Sequence, residues 1–281
     1  MSTATVPADL RPARQGWHAL TWIAPLTVLW IAILYALPII PTSGVQTTVH
    51  QLSAHALIGL GLWLGLERSN LTPYQRRTLW LAVMIPDTLW FAVAWSAAIN
   101  GGFMTGAASL PLLPMAILLP VIVGAPLLLL SRRVGQVLDA MPASWLIALQ
   151  FYRVFGSWFV AAWLRGAAPV ISALPAGLGD IITGVFAVPA AIAVAAGTVQ
   201  GRRAAVAWNF LGLTDFAIAI TLGILTTPGR FQLIVPAVSS FNVGIYPDVL
   251  TPAFVVPSSI LLHALSLRQL FRKRRTPARP H

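Results

Sequence analysis

The segment 108–130 reads ASLPLLPMAILLPVIVGAPLLLL, without a charged residue, and Arg132 and Arg133 follow it after a single serine. A helix rises 1.5 Å per residue, so about 20 apolar residues cross the roughly 30 Å hydrocarbon core of a bilayer. Seven further apolar runs of comparable length lie at 17–40, 48–66, 78–100, 143–165, 168–197, 203–225 and 250–267. The sequence therefore predicts an all-α, polytopic integral membrane protein, a helical bundle with eight transmembrane helices.

The composition of the whole chain excludes a water-soluble fold. Of its 281 residues, 57% are hydrophobic and only 9% are charged, whereas about a quarter of the residues in a soluble domain are charged. The chain has no cysteine, which excludes disulfides, iron–sulfur clusters and thiol catalysis. Its single lysine, Lys273, follows the last apolar run, so a Schiff-base pigment within the membrane is excluded as well.

The distribution of basic residues predicts the orientation of the chain. The net charge is +11, but the basic residues occur in short groups between apolar runs, unlike the surface of a nucleic-acid-binding protein. Fifteen of them fall on one side of the predicted helices, and only Arg165 and Arg230 fall on the other. Because cytoplasmic loops are enriched in Lys and Arg, we expect both termini in the cytoplasm and the protein in the inner membrane.

The expected domain organisation follows from these runs. Residues 1–16 form a cytoplasmic N-terminal segment, 17–267 a single transmembrane domain, and 268–281 a basic cytoplasmic tail that attracts anionic lipid. The fourth predicted helix carries four prolines, and the sixth combines three prolines with glycines that include Gly177, Gly179 and Gly184. We expect both helices to be kinked, since proline removes a backbone donor. The segment 231–247 is interpreted as an interfacial or re-entrant piece on the outer side.

Four ionisable residues lie near mid-membrane depth on four of the predicted helices: Asp87, Arg153, Asp180 and Asp215. An unpaired charge at this depth costs several kcal/mol, so we expect these side chains to face inward and meet. Three carboxylates and one guanidinium leave an excess of about two negative charges, so either aspartates are protonated or a cation joins them. The sequence therefore predicts a site that responds to protons or cations.

Neighbouring polar residues extend this predicted site. Gln150 lies one helical turn from Arg153, and Asn209 and His55 lie within the seventh and second predicted helices, so we expect these three to supply neutral hydrogen bonds. The stretch Gly177-Leu178-Gly179-Asp180-Ile181 is echoed by Gly212-Leu213-Thr214-Asp215-Phe216 on the next helix, which runs the opposite way. Inverted repeats around a midplane site are typical of transporters.

Three functional hypotheses remain open from the sequence. The first is a proton- or cation-linked transporter or channel-like protein, in which Arg153 holds a carboxylate or an anionic group while Asp180 and Asp215 exchange protons or bind a cation. The second is a membrane-embedded enzyme that uses the same aspartates, and it is the less favoured. The third is a structural accessory subunit of a membrane complex, in which the cluster only fixes helix packing.

The expected ligands are limited. A haem held by two histidines is disfavoured because His55 and His263 lie at different predicted depths, and no spacing resembles a metal site. We therefore expect no cofactor and no metal. The expected partners are membrane lipid and an unidentified small molecule or ion, but no nucleic acid; a second copy of the chain or another membrane subunit is left open.

The enzyme hypothesis comes from a resemblance. The stretch Ala176-Gly177-Leu178-Gly179-Asp180-Ile181 and the later Thr251-Pro252-Ala253-Phe254 resemble the GxGD and Pro-Ala-Leu motifs of the presenilin and signal-peptide-peptidase family. This resemblance covers about a dozen residues and implies a diverged or inactive relative of that family, with Asp180 at the position of the GxGD aspartate. On the preceding helix, where the family has a tyrosine followed by its other aspartate, this chain has Tyr152-Arg153. Arginine cannot share a proton with Asp180, so an active protease would need Asp215 or Asp87 instead.

Overall fold

The computed structural model describes residues 11–36, 44–104 and 111–272, and within these ranges the chain is helical, without a strand. Its α-helices are α1 (Arg11–Ala36), α2 (Gly44–Arg68), α3 (Pro73–Ile99), α4 (Leu112–Leu130), α5 (Arg132–Ala140), α6 (Ser144–Leu149), α7 (Ser157–Leu164), α8 (Val170–Ala195), α9 (Val199–Thr226) and α10 (Val256–Arg272). Residues 1–10 of the predicted N-terminal segment, 37–40 of the first predicted run, 108–110 of the fourth and 273–281 of the basic tail lie outside these ranges.

Seven segments of the described chain are long and apolar enough to cross a membrane. They are Thr47–Arg68, Pro73–Ile99, Leu112–Leu130, Ser144–Leu164, Val170–Ala195, Val199–Thr226 and Thr251–Arg272. Each overlaps one of the last seven predicted apolar runs, while α1 contains a shorter apolar stretch, His18–Ile33. An all-helical fold with helices of membrane-spanning length is therefore confirmed.

Hydroxyl side chains at the ends of the apolar runs fix where three helices begin. Thr72, Ser131 and Thr198 each accept a hydrogen bond from the backbone amide three residues later, at 3.0–3.3 Å. At the start of α3, the Gln75 side chain also accepts from the Thr72 amide at 3.1 Å, which completes a capping box. These caps satisfy backbone donors that the first helical turn leaves unpaired.

The fifth predicted helix departs from α-helical geometry in its middle. Helices α6 and α7 are joined by a seven-residue 3₁₀ segment, Gln150–Gly156, which is longer than most such segments. Side chains three residues apart eclipse one another in a 3₁₀ helix, so Gln150, Arg153 and Gly156 lie on one face, and all three are buried. The sequence predicted a regular helix here, and it predicted kinks only in the fourth and sixth helices.

Helix α8 packs against α9, α1, the 3₁₀ segment and α7. Its glycines allow a close approach to the fifth helical segment. A Cβ atom at Gly177 would lie 2.7 Å from the Val160 side chain, and one at Gly184 would lie 2.7 Å from the backbone nitrogen of Val154. The resulting short distance between the two backbones brings the side chains of α8 directly against the 3₁₀ segment.

Helix α10 extends to Arg272 and is anchored to the ends of α4 and α5. Arg268 donates to the main-chain oxygens of Leu128 and Ser131 at 2.8 and 2.7 Å. The buried Gln269 amide donates to the main-chain oxygens of Leu138 and Met141. The first residues of the predicted basic tail are therefore helical and make structural contacts.

We expect Gln269→Ala to destabilise the protein by about 1–3 kcal/mol, because it removes a buried amide that donates to two main-chain oxygens. The measurement is the apparent Tm in detergent, followed by size-exclusion chromatography of heated samples. Gln200→Ala, at an exposed position near the start of α9, is the matched control and should leave the Tm unchanged. Equal shifts for both variants would contradict the anchoring role.

Candidate functional site

Arg153 lies inside the bundle, and its side chain is only 1% exposed. Its Nε atom donates to Oδ1 of Asp180 in α8 at 2.8 Å, and its Nη2 atom donates to Oδ2 of Asp215 in α9. The guanidinium also lies over the Phe216 ring, with 3.8 Å between the guanidinium carbon and the ring centroid. One cation thus joins carboxylates from two helices and stacks on an aromatic face.

The third nitrogen of the Arg153 guanidinium, Nη1, forms a hydrogen bond with a histidine. Nη1 of Arg153 lies 3.1 Å from Nε2 of His263 in α10. A guanidinium only donates, so Nε2 accepts, and Nδ1 carries the ring proton that is donated to Oδ1 of Asn209 at 3.0 Å. The Asn209 amide in turn donates to the main-chain oxygen of Ala205 and to the Ser266 hydroxyl. A continuous hydrogen-bond network therefore links the 3₁₀ segment, α8, α9 and α10.

Glycines make room for the charged side chains of this network. A Cβ atom at Gly156 would overlap the Asp180 side chain, and one at Gly179 would overlap the Asp215 carboxylate. A Cβ atom at Gly212 would collide with the His263 ring. Gly179, directly before Asp180, thus makes room for Asp215 of the second echoed stretch, while the echoed glycine Gly212 makes room for His263.

An apolar cavity of about 160 Å³ reaches the two carboxylates from one end of the bundle. Asp180 and Asp215 are 13% and 9% exposed and line the cavity together with apolar residues of α4, α8 and α9. Its opposite end is bordered by Thr227–Phe231, just beyond α9, and by Ser240. Arg153 is not among the lining residues, so the cavity meets the acidic side of the cluster.

Asp87 and His55 do not join the Arg153 cluster, and their placement corrects the predicted four-residue site. Nδ1 of His55 in α2 lies 2.9 Å from Oδ2 of Asp87 in α3, and its Nε2 lies 3.2 Å from the Thr88 hydroxyl. The imidazole also stacks on Phe91, with 5.3 Å between ring centroids. Asp87, which was expected to meet Arg153, Asp180 and Asp215, therefore pairs with a histidine on the neighbouring helix.

In the described residues, Gln150 bonds α10 and not the Arg153 cluster that it was expected to extend. Its side-chain nitrogen donates to the main-chain oxygen of Ser259 at 3.0 Å, and no hydrogen bond joins it to the Arg153 cluster in the described residues. The neighbouring Tyr152 hydroxyl bonds the Ser259 hydroxyl at 2.6 Å. These two residues hold the 3₁₀ segment against α10 and thereby position Arg153.

His263 is the main member of the site that sequence reasoning missed. From the sequence, His263 is a candidate only for a disfavoured haem ligand. A signal was present, because Ser259, His263 and Ser266 recur at helical spacing on the last apolar run, and all three are buried. Such a polar stripe on a membrane helix indicates that this face meets other polar groups.

The arrangement favours binding over acid–base catalysis. The guanidinium bonds both carboxylates, so neither aspartate is free to share a proton with the other in the way that an aspartyl protease requires. No group of three or more His, Cys, Asp or Glu side chains in the described part of the chain is placed to hold a metal ion. What remains chemically available is one guanidinium and two carboxylates beside an apolar cavity.

Comparison with known proteins identifies one family. Residues 110–271, more than half of the chain, match the family described as a domain of unknown function (DUF8737), so the chain belongs to this family. The match extends from the start of α4 to nearly the end of α10 and includes the whole Arg153 network, but not His55 and Asp87. No curated protein and no solved structure matches the chain.

Proposed function

We propose that this member of the DUF8737 family is a proton- or cation-linked transporter or channel-like protein whose site is formed by Arg153, Asp180 and Asp215. The observation that carries the proposal is the pair of carboxylates that share one guanidinium at the inner end of an apolar cavity. We therefore assign the proposed site to these three charged residues, with His263 and Asn209 as their neutral neighbours.

The charge balance of the cluster supports this proposal. When both carboxylates are ionised, one guanidinium leaves a net formal charge of −1 on a cluster of mostly buried side chains. Such a charge is costly unless it is compensated. The described residues offer no second cation in contact with Asp180 or Asp215. A proton or a cation that enters through the cavity would supply the compensation.

The proposed topology is the one the sequence predicts, with eight spans, both termini in the cytoplasm and kinks at the prolines of the fourth and sixth spans. The distribution of basic residues supports it. Arg68, Arg132 and Arg202 lie at one set of helix ends, while Arg230 lies at the opposite end of α9. In this orientation the cavity opens on the outer side of the inner membrane, because it is bordered by the segments that follow α3 and α9.

Proton flux into liposomes tests the proposal directly. The purified protein is reconstituted with a pH-sensitive dye trapped inside, and a potassium gradient with valinomycin drives proton entry. We expect the parent protein to raise the rate of internal acidification, and Asp180→Asn and Asp215→Asn to return it toward that of protein-free liposomes. Each variant removes the excess charge that a proton would neutralise. Repeating the assay with sodium or N-methylglucamine as the external cation separates proton linkage from cation linkage.

Asp139→Asn is the matched control, because Asp139 pairs with Arg272 at a position where both side chains are 43% exposed. Liposomes with this variant should acidify internally at the same rate as those with the parent protein. A parent protein that raises no ion flux, combined with Asp180 and Asp215 variants that alter only the apparent Tm, would instead support the packing role of an accessory subunit. Conversion of a lipid or peptide in detergent without any gradient would support the enzyme hypothesis.

A further inference from the structure

The cavity above Asp180 and Asp215 has the size of a small organic molecule. Its volume is about 160 Å³, and an apolar cavity of roughly 150 Å³ is known to admit benzene. Phenylalanine, proline, isoleucine and alanine side chains from several helices line most of it, among them Phe159, Ala219 and Ile220. A ligand with one ring-sized apolar body would therefore fit the space and bury its surface.

The charged groups that line the cavity are placed at its two ends. Asp180 and Asp215 lie at the inner end, and Arg230 lies at the mouth; these are the charged lining residues in the described part of the chain. Thr226 lies eleven positions after Asp215 in α9, which corresponds to about 17 Å of helix. Arg230 follows beyond that point, so it does not neutralise the inner end.

The guanidinium of Arg153 is turned away from this space. Its side chain is 1% exposed, whereas those of Asp180 and Asp215 are 13% and 9% exposed. A ligand in the cavity would therefore meet carboxylate oxygens and not the arginine. In a space of low polarity, an anionic ligand would be repelled and a cationic group would be bound.

From this geometry we infer that the cavity binds a small organic cation, with its charged group at Asp180 and Asp215 and its ring-sized apolar body among the residues of α4, α8 and α9. The inference rests on the proposed function and names the substrate class of that site. The cation would take the place of the proton or inorganic ion that otherwise compensates the net charge of the cluster.

Calorimetric titration of the purified protein in detergent tests this inference. The probes are phenyltrimethylammonium and, as an anion of similar size, benzenesulfonate. We expect saturable binding of the cation, and affinity for the anion that is lower by at least about tenfold. Asp215→Asn should weaken cation binding by about the same factor, because it removes one of the two negative charges that attract the quaternary ammonium group.

Two Ala→Phe variants distinguish the effect of filling the cavity from a general effect of a bulky side chain on α9. Ala219 lines the cavity, whereas Ala217 on the same helix is exposed on the outside of the bundle. Ala219→Phe fills the space without changing a charge, so we expect at least a tenfold loss of cation affinity. Ala217→Phe adds the same side chain elsewhere and should bind like the parent.

Several results would overturn the inference: equal binding of cation and anion, equal effects of Ala219→Phe and Ala217→Phe, or a co-purified phospholipid that only Ala219→Phe removes. The outcome is separable from that of the proposed function. Proton flux in liposomes without cation binding would reject the substrate class alone. Cation binding without any ion flux would reject transport and leave the binding site in place.

Discussion

Arg153→Gln is expected to lower the stability of the protein by about 3–5 kcal/mol, the cost of removing one partner from a buried ion pair. The substitution leaves Asp180 and Asp215 facing each other's charge without the guanidinium that bonds both. It also removes the donor to His263 and the cation above the Phe216 ring. The apparent Tm in detergent, followed by size-exclusion chromatography of heated samples, is the measurement.

Arg272→Gln is the matched control, since it also removes an arginine from an arginine–aspartate pair. Arg272 and Asp139 are both 43% exposed, and exposed ion pairs contribute only about 0–1 kcal/mol. The two variants should therefore differ by several degrees in apparent Tm. A second comparison uses Arg153→Gln combined with Asp180→Asn and Asp215→Asn, which removes all three charges and should recover part of the lost stability. Similar Tm values for Arg153→Gln and Arg272→Gln would mean that the buried cluster does not hold the bundle together.

Gly179→Ala is expected to disrupt the site through a single methyl group. In an ordinary helix this substitution stabilises by about 0.5–1 kcal/mol, because glycine is a poor helix former. Here the added Cβ would overlap the carboxylate of Asp215, which must then leave its position on Arg153. We expect a lower apparent Tm and a proton flux reduced like that of Asp215→Asn.

Gly61→Ala provides the comparison, because no described atom outside its own helix backbone lies within 4 Å of the Cβ position at Gly61 in α2. This variant should be neutral or slightly stabilising and should keep the parent flux. If Gly179→Ala lowers the apparent Tm while Gly61→Ala leaves it unchanged or raises it, the loss of stability at position 179 comes from the contact with Asp215. If Gly179→Ala raised the Tm and kept the flux, the close fit of α8 against Asp215 would be wrong.

The helices of the fold could be predicted from continuous apolar segments of the sequence. Length and hydropathy define a membrane-spanning helix, and both are local properties of the chain, so the last seven predicted runs coincide with membrane-length helical segments. The 3₁₀ geometry of Gln150–Gly156 could not be predicted in this way. Its sequence, with Phe151, Tyr152 and Phe155, carries no proline to mark a departure from the α-helix, and contacts with α8 and α10 accompany it.

The identity of the charged partners was only partly predictable. Helical rise placed Asp87, Arg153, Asp180 and Asp215 at similar depths, and three of these four side chains do meet. Depth is one coordinate, however, and contact also requires that the helices be neighbours and that their faces be turned toward each other. Asp87 faces His55 between α2 and α3, so its side chain is turned toward a different partner from that of Asp180 and Asp215.

The amino-acid sequence alone determined that this chain forms apolar helices of membrane length and that its buried acids outnumber its buried bases, since both follow from which residues occur and at what spacing. Only the tertiary structure decided that Arg153 bonds Asp180 and Asp215, that His263 completes the network and that an apolar cavity ends at the carboxylates. These depend on which helices lie side by side and how each is rotated about its axis, and packing between residues far apart in the chain sets both.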